Sequence, residues 1–377
     1  MNAVAGRAGS LVLAAALLAG PFTSCVPNRL GRPGHPGAPS ASAPSYVAQF
    51  DSLWKRFDEL YPSFEYKGID WNTQRVAYRG RVQRARSQGE FIELTREMLE
   101  PLRDLHIWFV DPRGQTVPTF RPTHVANFDL ARWNRALRDA GYVRRGTDIG
   151  EANVGGYGYL FISGWKGSVD VSALDMTLSR VREAPGLIID LRTNGGGSDA
   201  TALAFASRFT SRSFAASYVQ VRNGPRHQDL DVPVARMVSP RGPWQYTRPV
   251  VLITGRAGFS ATESFVAAMR TLPNVTVIGD TTGGASGNPA EYPLGNGWSY
   301  TVPQWLEFGP DRQPIEWRGV APHLALSWIP SQYERDRDPL IDAAVGLLAE
   351  RNGVFRVAPA GVEDTSKSSP RDPPPLR

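Results

Sequence analysis

The chain has 377 residues, a formal net charge of +6, 41% hydrophobic residues and 21% charged residues. That length supplies material for about two domains, each with a real core. The positive balance is almost all arginine, with only four lysines (Lys55, Lys67, Lys166 and Lys367), and the basic residues form no run. A nucleic-acid binder gathers its positive charge on one stripe or helix face. The scatter here reads as solvated surface and excludes that class.

In chain order, Arg7 precedes an apolar run, Leu11–Gly20, that is too short to span a bilayer and reads as an export signal. Phe22-Thr23-Ser24-Cys25 follows, and it resembles the lipobox of bacterial lipoproteins, in which the cysteine carries the lipid; Phe22 stands where leucine is usual. The plain alternative is a cysteine beside an ordinary cleavage site. Cys25 is the only cysteine, which excludes an intrachain disulfide. The expectation is a signal peptide over 1–25 with lipid attachment at Cys25. The protein would then be exported and lipid-anchored to a bacterial membrane, facing the periplasm or the cell surface. Residues 26–44 are dense in Pro, Gly, Ser and Ala and read as a flexible tether. The end of the chain, 351–377, is expected to be a disordered tail.

Between tether and tail the hydrophobic rhythm changes once. Phe50, Leu53, Trp54, Phe57, Leu60 and Tyr61 recur at three- and four-residue spacing, as do Phe91, Leu94, Met98, Leu99 and Leu102. That spacing predicts a small helical domain over 45–112. A connecting segment over 113–154 holds one helical stretch, Phe128–Ala140. From 155 to 350, strands are expected at Tyr159–Ser163, Gly186–Asp190, Val250–Thr254 and Val275–Ile278. They alternate with helical patterns over Val171–Val181, Thr201–Phe209 and Thr262–Leu272. Alternation of this kind predicts an α/β core of βαβ units. Chemistry in such cores sits at the carboxyl ends of the strands, which singles out two loops, Asp190–Gly197 and Thr254–Ser260.

Ser260 opens the helix after the second loop. Its plain reading is an N-cap with Glu263 completing a capping box. A serine at a helix start also lies where an oxyanion can be held, and the residues alone leave both readings open. The first loop carries Gly195, Gly196 and Gly197 in succession, which lets backbone approach a ligand closely. It lacks the Lys-Ser/Thr of a phosphate loop. No His, Cys, Asp and Glu cluster has metal-ligand spacing, so neither a metal nor another cofactor is expected.

Together the motifs Asp190-Leu191-Arg192-x-Asn194-x-Gly196-Gly197, Ser260-Ala261-x-Glu263, Val277-Ile278-Gly279-Asp280-Thr281-Thr282-Gly283-Gly284 and Gly319-Val320-Ala321-Pro322 resemble the C-terminal-processing (tail-specific) serine peptidase family. His323 replaces the aspartate that closes the last motif. The resemblance covers roughly 46–330 and implies a ClpP/crotonase-like catalytic core preceded by the helical domain. It also implies peptide or protein substrates and Ser260 as nucleophile. Members with a lysine base carry it in a turn that falls here at Ala285, and no lysine lies between Lys166 and Lys367. The resemblance therefore points to the tricorn-like branch, with His106 in Arg103-Asp104-Leu105-His106 as general base and Glu316 orienting it. It places the oxyanion donors at the backbone N–H groups of Gly196 and Ala261. Asp104 is expected as a structural partner near His106, and Asp190 and Arg192 as residues that hold the glycine loop.

Histidine suits the base role because it titrates near neutral pH, and a serine needs such a base, oriented by a third group. Chain order is no obstacle, since triads are defined by geometry. The other histidines are His35 in the tether and His124, His227 and His323 in loops. Residues 107–155 are too few for the PDZ domain that many members carry. The rival reading is a non-catalytic binding protein, since interphotoreceptor retinoid-binding protein modules have a similar fold and hold apolar ligands.

Overall fold

The computed structural model describes residues 45–124, 126–166, 170–326 and 337–353. The expected signal peptide, the expected tether with Cys25 and the expected tail from 354 onward lie outside the described residues.

In the helical unit, three helices start on a capping side chain: α1 (Tyr46–Leu60) on Ser45, α3 (Trp71–Gln83) on Asp70 and α4 (Gln88–Leu99) on Ser87. Each cap accepts the N–H three residues on, one of the donors that a helix start leaves open. A single turn, α2 (Phe64–Lys67), joins α1 to α3. Their apolar faces meet around Phe50, Leu53, Phe57, Trp71, Phe91 and Leu99. That core also needs Phe109, Leu294, Tyr300 and Val302. Phe109 lies on β1 (Trp108–Val110), which pairs with β2 (Thr116–Pro118). The others come from β11 (Ala290–Gly295) and β12 (Trp298–Val302), and the four strands form one antiparallel sheet in the order β11-β12-β1-β2. Packing therefore does not stop at 112, because the helical core is closed by strands from the far end of the chain.

The large sheet has the order β14-β10-β9-β6-β5-β4-β3, with β14 (Leu324–Ala325) at one edge and β4 (Ile149–Val154) and β3 (Val143–Arg144) at the other. The four expected strands are present as β5 (Tyr157–Ile162), β6 (Leu187–Asp190), β9 (Val250–Thr254) and β10 (Val275–Gly279), all parallel. They read as continuous apolar runs because both faces are covered. Leu187, Ile189, Val250 and Leu252 pack beneath α6 (Val171–Arg180), α7 (Asp199–Ala206) and α8 (Ala261–Arg270). Ile188, Val251 and Ile253 face α5 (Leu130–Ala136) and α9 (Pro339–Arg351) on the other side. Alternate side chains on a strand point to opposite faces, which produces this division.

Two features differ from the sequence reading. The segment 113–154 is more than a connector, since β3 (Val143–Arg144) and β4 (Ile149–Val154) extend the large sheet antiparallel beside β5. A third sheet, β13-β7-β8, gathers Leu306–Phe308, Phe214–Gln220 and Val234–Val238. β7 and β8 are half-exposed and β13 is only three residues long, so none carries the continuous apolar run that marked the others.

Candidate active site

β6 and β9 are neighbours in parallel register, so the two singled-out loops leave adjacent strands at the same end. The first loop is anchored from below. Asp190 ends β6 fully buried and accepts from Arg192 Nε at 3.0 Å and Nη2 at 2.7 Å, and from the Tyr159 hydroxyl at 2.8 Å. Arg192 also donates to Asp338 at the head of α9 (3.1 and 2.9 Å) and to the Asn127 carbonyl. Burial opposes the guanidinium charge, but Asp190 and Asp338 outweigh burial and push its pKa up. The loop-holding role expected of this pair has a geometric basis, since removing either would strand a buried charge.

The glycines are then pressed onto α8. Asn194 Oδ1 accepts the Gly196 N–H at 3.0 Å and the Thr262 hydroxyl at 2.6 Å. Trp165 donates its ring N–H to the same hydroxyl (3.0 Å) and its backbone N–H to the Gly196 carbonyl (2.9 Å). A Cβ on Gly196 would lie 2.7 Å from Ser260 Cβ and 2.8 Å from the Phe259 carbonyl oxygen, and its φ of 93° suits glycine alone. Gly196→Ala is therefore expected to lower kcat at least about 100-fold by displacing Ser260. Steady-state turnover of a protein whose circular dichroism is native checks this, and near-normal turnover would show that the loop and serine are not in contact.

Ser260 has φ 61° and ψ −131°, angles of the first central position of a type II′ turn, which glycine normally fills. A non-glycine residue held there costs about 1–3 kcal/mol. The turn containing Ala285 imposes it. Ser260 N–H donates to the Ala285 carbonyl at 2.8 Å and to Glu263 Oε2 at 3.3 Å. Glu263 accepts also from the Thr282 hydroxyl (2.5 Å) and the N–H groups of Gly284 and Ala285 (both 2.8 Å). Burial pushes the Glu263 carboxyl up to about 8 against those bonds. Glu263, read from sequence as half of a capping box, thus ties the 282–285 turn to the head of α8.

His106 lies just before β1, with its ring wholly buried edge-on to Phe259 at 6.0 Å, the residue preceding Ser260. Its backbone is fixed by the His106 N–H donating to Asp104 Oδ1 (2.9 Å) and by the Thr301 hydroxyl donating to its carbonyl (2.8 Å). Neither ring nitrogen has a hydrogen-bond partner. Burial, with the nearby Lys67 charge and against Asp104, lowers its pKa to about 4.

The expected bond between Glu316 and His106 is not made. Glu316 Oε1 accepts from Lys67 Nζ at 2.6 Å and Oε2 from the Ser286 N–H at 3.2 Å. The carboxylate flanking the imidazole is Asp104, whose Oδ1 stands 3.9 Å from Nδ1. The reason is tertiary: α2 carries Lys67 into the space beside Glu316 from 249 positions away. Gly196, the expected oxyanion donor, lies against Ser260, but its N–H is committed to Asn194. Ala261 opens α8, so its N–H is among those left without an intrahelical acceptor. Ala285, in the slot where a lysine base was expected to be missing, meets Ser260 through its carbonyl.

Lys67 was missed by sequence reasoning. Its one signal was rarity, a lysine in a chain whose basic residues are nearly all arginine. Two of the rival histidines are employed elsewhere: His227 pairs with Asp58 at 2.8 Å, and His323 accepts the Val277 N–H at 3.0 Å. Among the described residues no group of His, Cys, Asp and Glu is placed to hold a metal ion.

The model of peptidase family S41 matches residues 156–326, and that of the tricorn protease C1 domain matches residues 45–100. A candidate peptidase of solved structure from Parabacteroides merdae ATCC 43184 is 31% identical, with a TM-score of 0.73 over 81% of this chain and 97% of that one. The carboxy-terminal processing protease CtpA of Bacillus subtilis (strain 168) is 29% identical over 143 residues, 37% of this chain. The match spans only 28% of CtpA. Mature CPAF, at 12% identity and a TM-score of 0.62 over 82% of this chain and 98% of its own, shares the fold.

Proposed function

Since the chain belongs to peptidase family S41 and is a serine-type peptidase, we propose that it cleaves peptide bonds through an acyl-enzyme on Ser260. The observation that carries this reading is the strained Ser260, held at the head of α8 against the glycine loop with the His106 ring beside its neighbour Phe259. Ser260 Oγ attacks the substrate carbonyl carbon as its proton passes to His106. The oxyanion forms at the Ala261 N–H, which the head of α8 leaves without an intrahelical acceptor. His106 then protonates the leaving amine, and the acyl ester remains on Ser260. A water molecule gives a proton to His106 and attacks the ester; His106 then returns that proton to Ser260 Oγ as the ester bond breaks, which releases the acid product and restores the free serine and neutral imidazole. Asp104, beside Nδ1, is the acid that steadies the imidazolium.

A fluorophosphonate probe is expected to label Ser260 and to leave Ser260→Ala unlabelled. Labelling that persists in the variant would refute the assignment. The unpartnered imidazole favours a second reading, a binding protein of this fold without catalysis. That reading requires an unlabelled wild type.

The setting we propose is extracytoplasmic, with the chain held at a membrane surface by lipid on Cys25. No helix among the described residues is long and apolar enough to cross a membrane. Growth with an alkyne-bearing fatty acid is expected to label the wild type and not Cys25→Ser. Equal labelling of both would remove the anchor.

A further inference from the structure

Lys67 lies at a fork between the two halves of the site. Its ammonium donates to Glu316 Oε1 (2.6 Å), to the Leu102 carbonyl (2.8 Å) and to Asp104 Oδ2 (3.4 Å), so all three protons are used. Its side chain is wholly buried, boxed by the rings of Trp317 at 5.0 Å and Tyr61 at 5.5 Å. One arm runs to the base: Asp104, held also by the Tyr61 hydroxyl at 2.9 Å, accepts the His106 N–H. The other arm runs to the nucleophile: Glu316 accepts the Ser286 N–H, and the adjacent Ala285 carbonyl accepts the Ser260 N–H. Glu316 itself precedes Trp317, whose φ of 65° turns the chain sharply and whose N–H donates to the Gly284 carbonyl.

We propose that Lys67 is a positioning residue of the peptidase, a single ammonium from the helical unit that sets both the Asp104–His106 segment and the 285–286 turn. The proposal rests on the assignment of Ser260 and His106 above. It gives the helical unit a part in catalysis, because α2 must be docked for either arm to be held. One ammonium serves two buried carboxylates, so the cluster of Lys67, Asp104 and Glu316 carries an excess of negative charge when both acids are ionised. Burial and Asp104 accordingly raise Glu316, while Lys67 pulls the other way. The other titratable groups facing the cluster are Tyr61, Tyr66, His106 and Glu263, and Arg318 stands behind Tyr66.

The test is Lys67→Met, which keeps the length and apolar stem of the side chain, beside Lys67→Arg, which keeps the charge. Active sites are first counted with the fluorophosphonate probe, so that rates refer to folded enzyme. Lys67→Met is expected to lose about 100-fold in kcat, the scale of a misplacement of about 1 Å, with KM within about threefold. Its acid limb in kcat/KM should move to higher pH, because the Lys67 charge that disfavours imidazolium is gone. Lys67→Arg should restore the acid limb, while kcat stays about tenfold low because a planar fork cannot reproduce the three bonds. A wild-type kcat per labelled site in either variant overturns the proposal, as does an unmoved acid limb in Lys67→Met. If Lys67→Met does not fold, kcat of Lys67→Arg decides alone. A wild type unlabelled at Ser260 would instead defeat the underlying assignment.

Discussion

Ser260→Ala is expected to lower kcat by about 10⁴- to 10⁶-fold while the protein remains folded. The loss is large because the acyl-enzyme route needs the hydroxyl, and substrate positioning and oxyanion binding are all that survive its removal. A second substitution at the same position separates chemistry from strain. Ser260→Gly should be as inactive as Ser260→Ala but more stable, by about 1–3 kcal/mol, since glycine adopts φ 61° and ψ −131° without the steric cost of a Cβ. Thermal unfolding of the two variants checks this, and equal melting temperatures would show that Ser260 stores no strain. The strain matters for function because it turns the side chain out of the line of α8, toward the glycine loop.

His106→Ala is expected to lower kcat by about 10²- to 10⁴-fold, the usual contribution of a general base. The pH profile is the sharper measure. Because burial lowers the imidazole to about 4, His106 is in its base form throughout the neutral range. The acid limb of kcat/KM should therefore fall near pH 4; a limb at the ordinary histidine value would contradict the buried setting. The same shift bears on stability. Between about pH 6.5 and pH 4 the unfolded chain binds a proton at this histidine that the folded protein refuses. Stability at this residue is thus full above 6.5 and declines as pH falls through that window, by about 3 kcal/mol in all. His106→Gln, which takes up no proton, should flatten that part of the stability curve. An unchanged slope would show that another group is responsible.

What was legible in the sequence is what repeats locally or is carried by a continuous motif. The four central strands read as apolar runs because helices cover both faces of the sheet, and the amphipathic spacing marked α1 and α4 because one side of each is buried. The βαβ rule puts the carboxyl ends of β6 and β9 side by side, which makes Ser260 and the glycine loop legible as neighbours from the sequence alone. The strands of the β13-β7-β8 sheet were not legible, since half-exposed β7 and β8 and the three-residue β13 leave no such run.

Tertiary structure decided what the local pattern could not contain. Closure of the helical core by β11 and β12 depends on pairing between Phe109 and Tyr300, for which neither segment carries a sign. The partner of Glu316 was decided the same way. By motif it belonged with His106; in three dimensions Lys67 reaches it first, and Asp104 takes the place beside the imidazole. A lone pair on a buried carboxylate goes to whichever donor the fold delivers, and an ammonium at 2.6 Å is a stronger partner than an imidazole N–H. Residue types for the chemistry were therefore set by sequence, while their pairing was set by the docking of the helical unit onto the core.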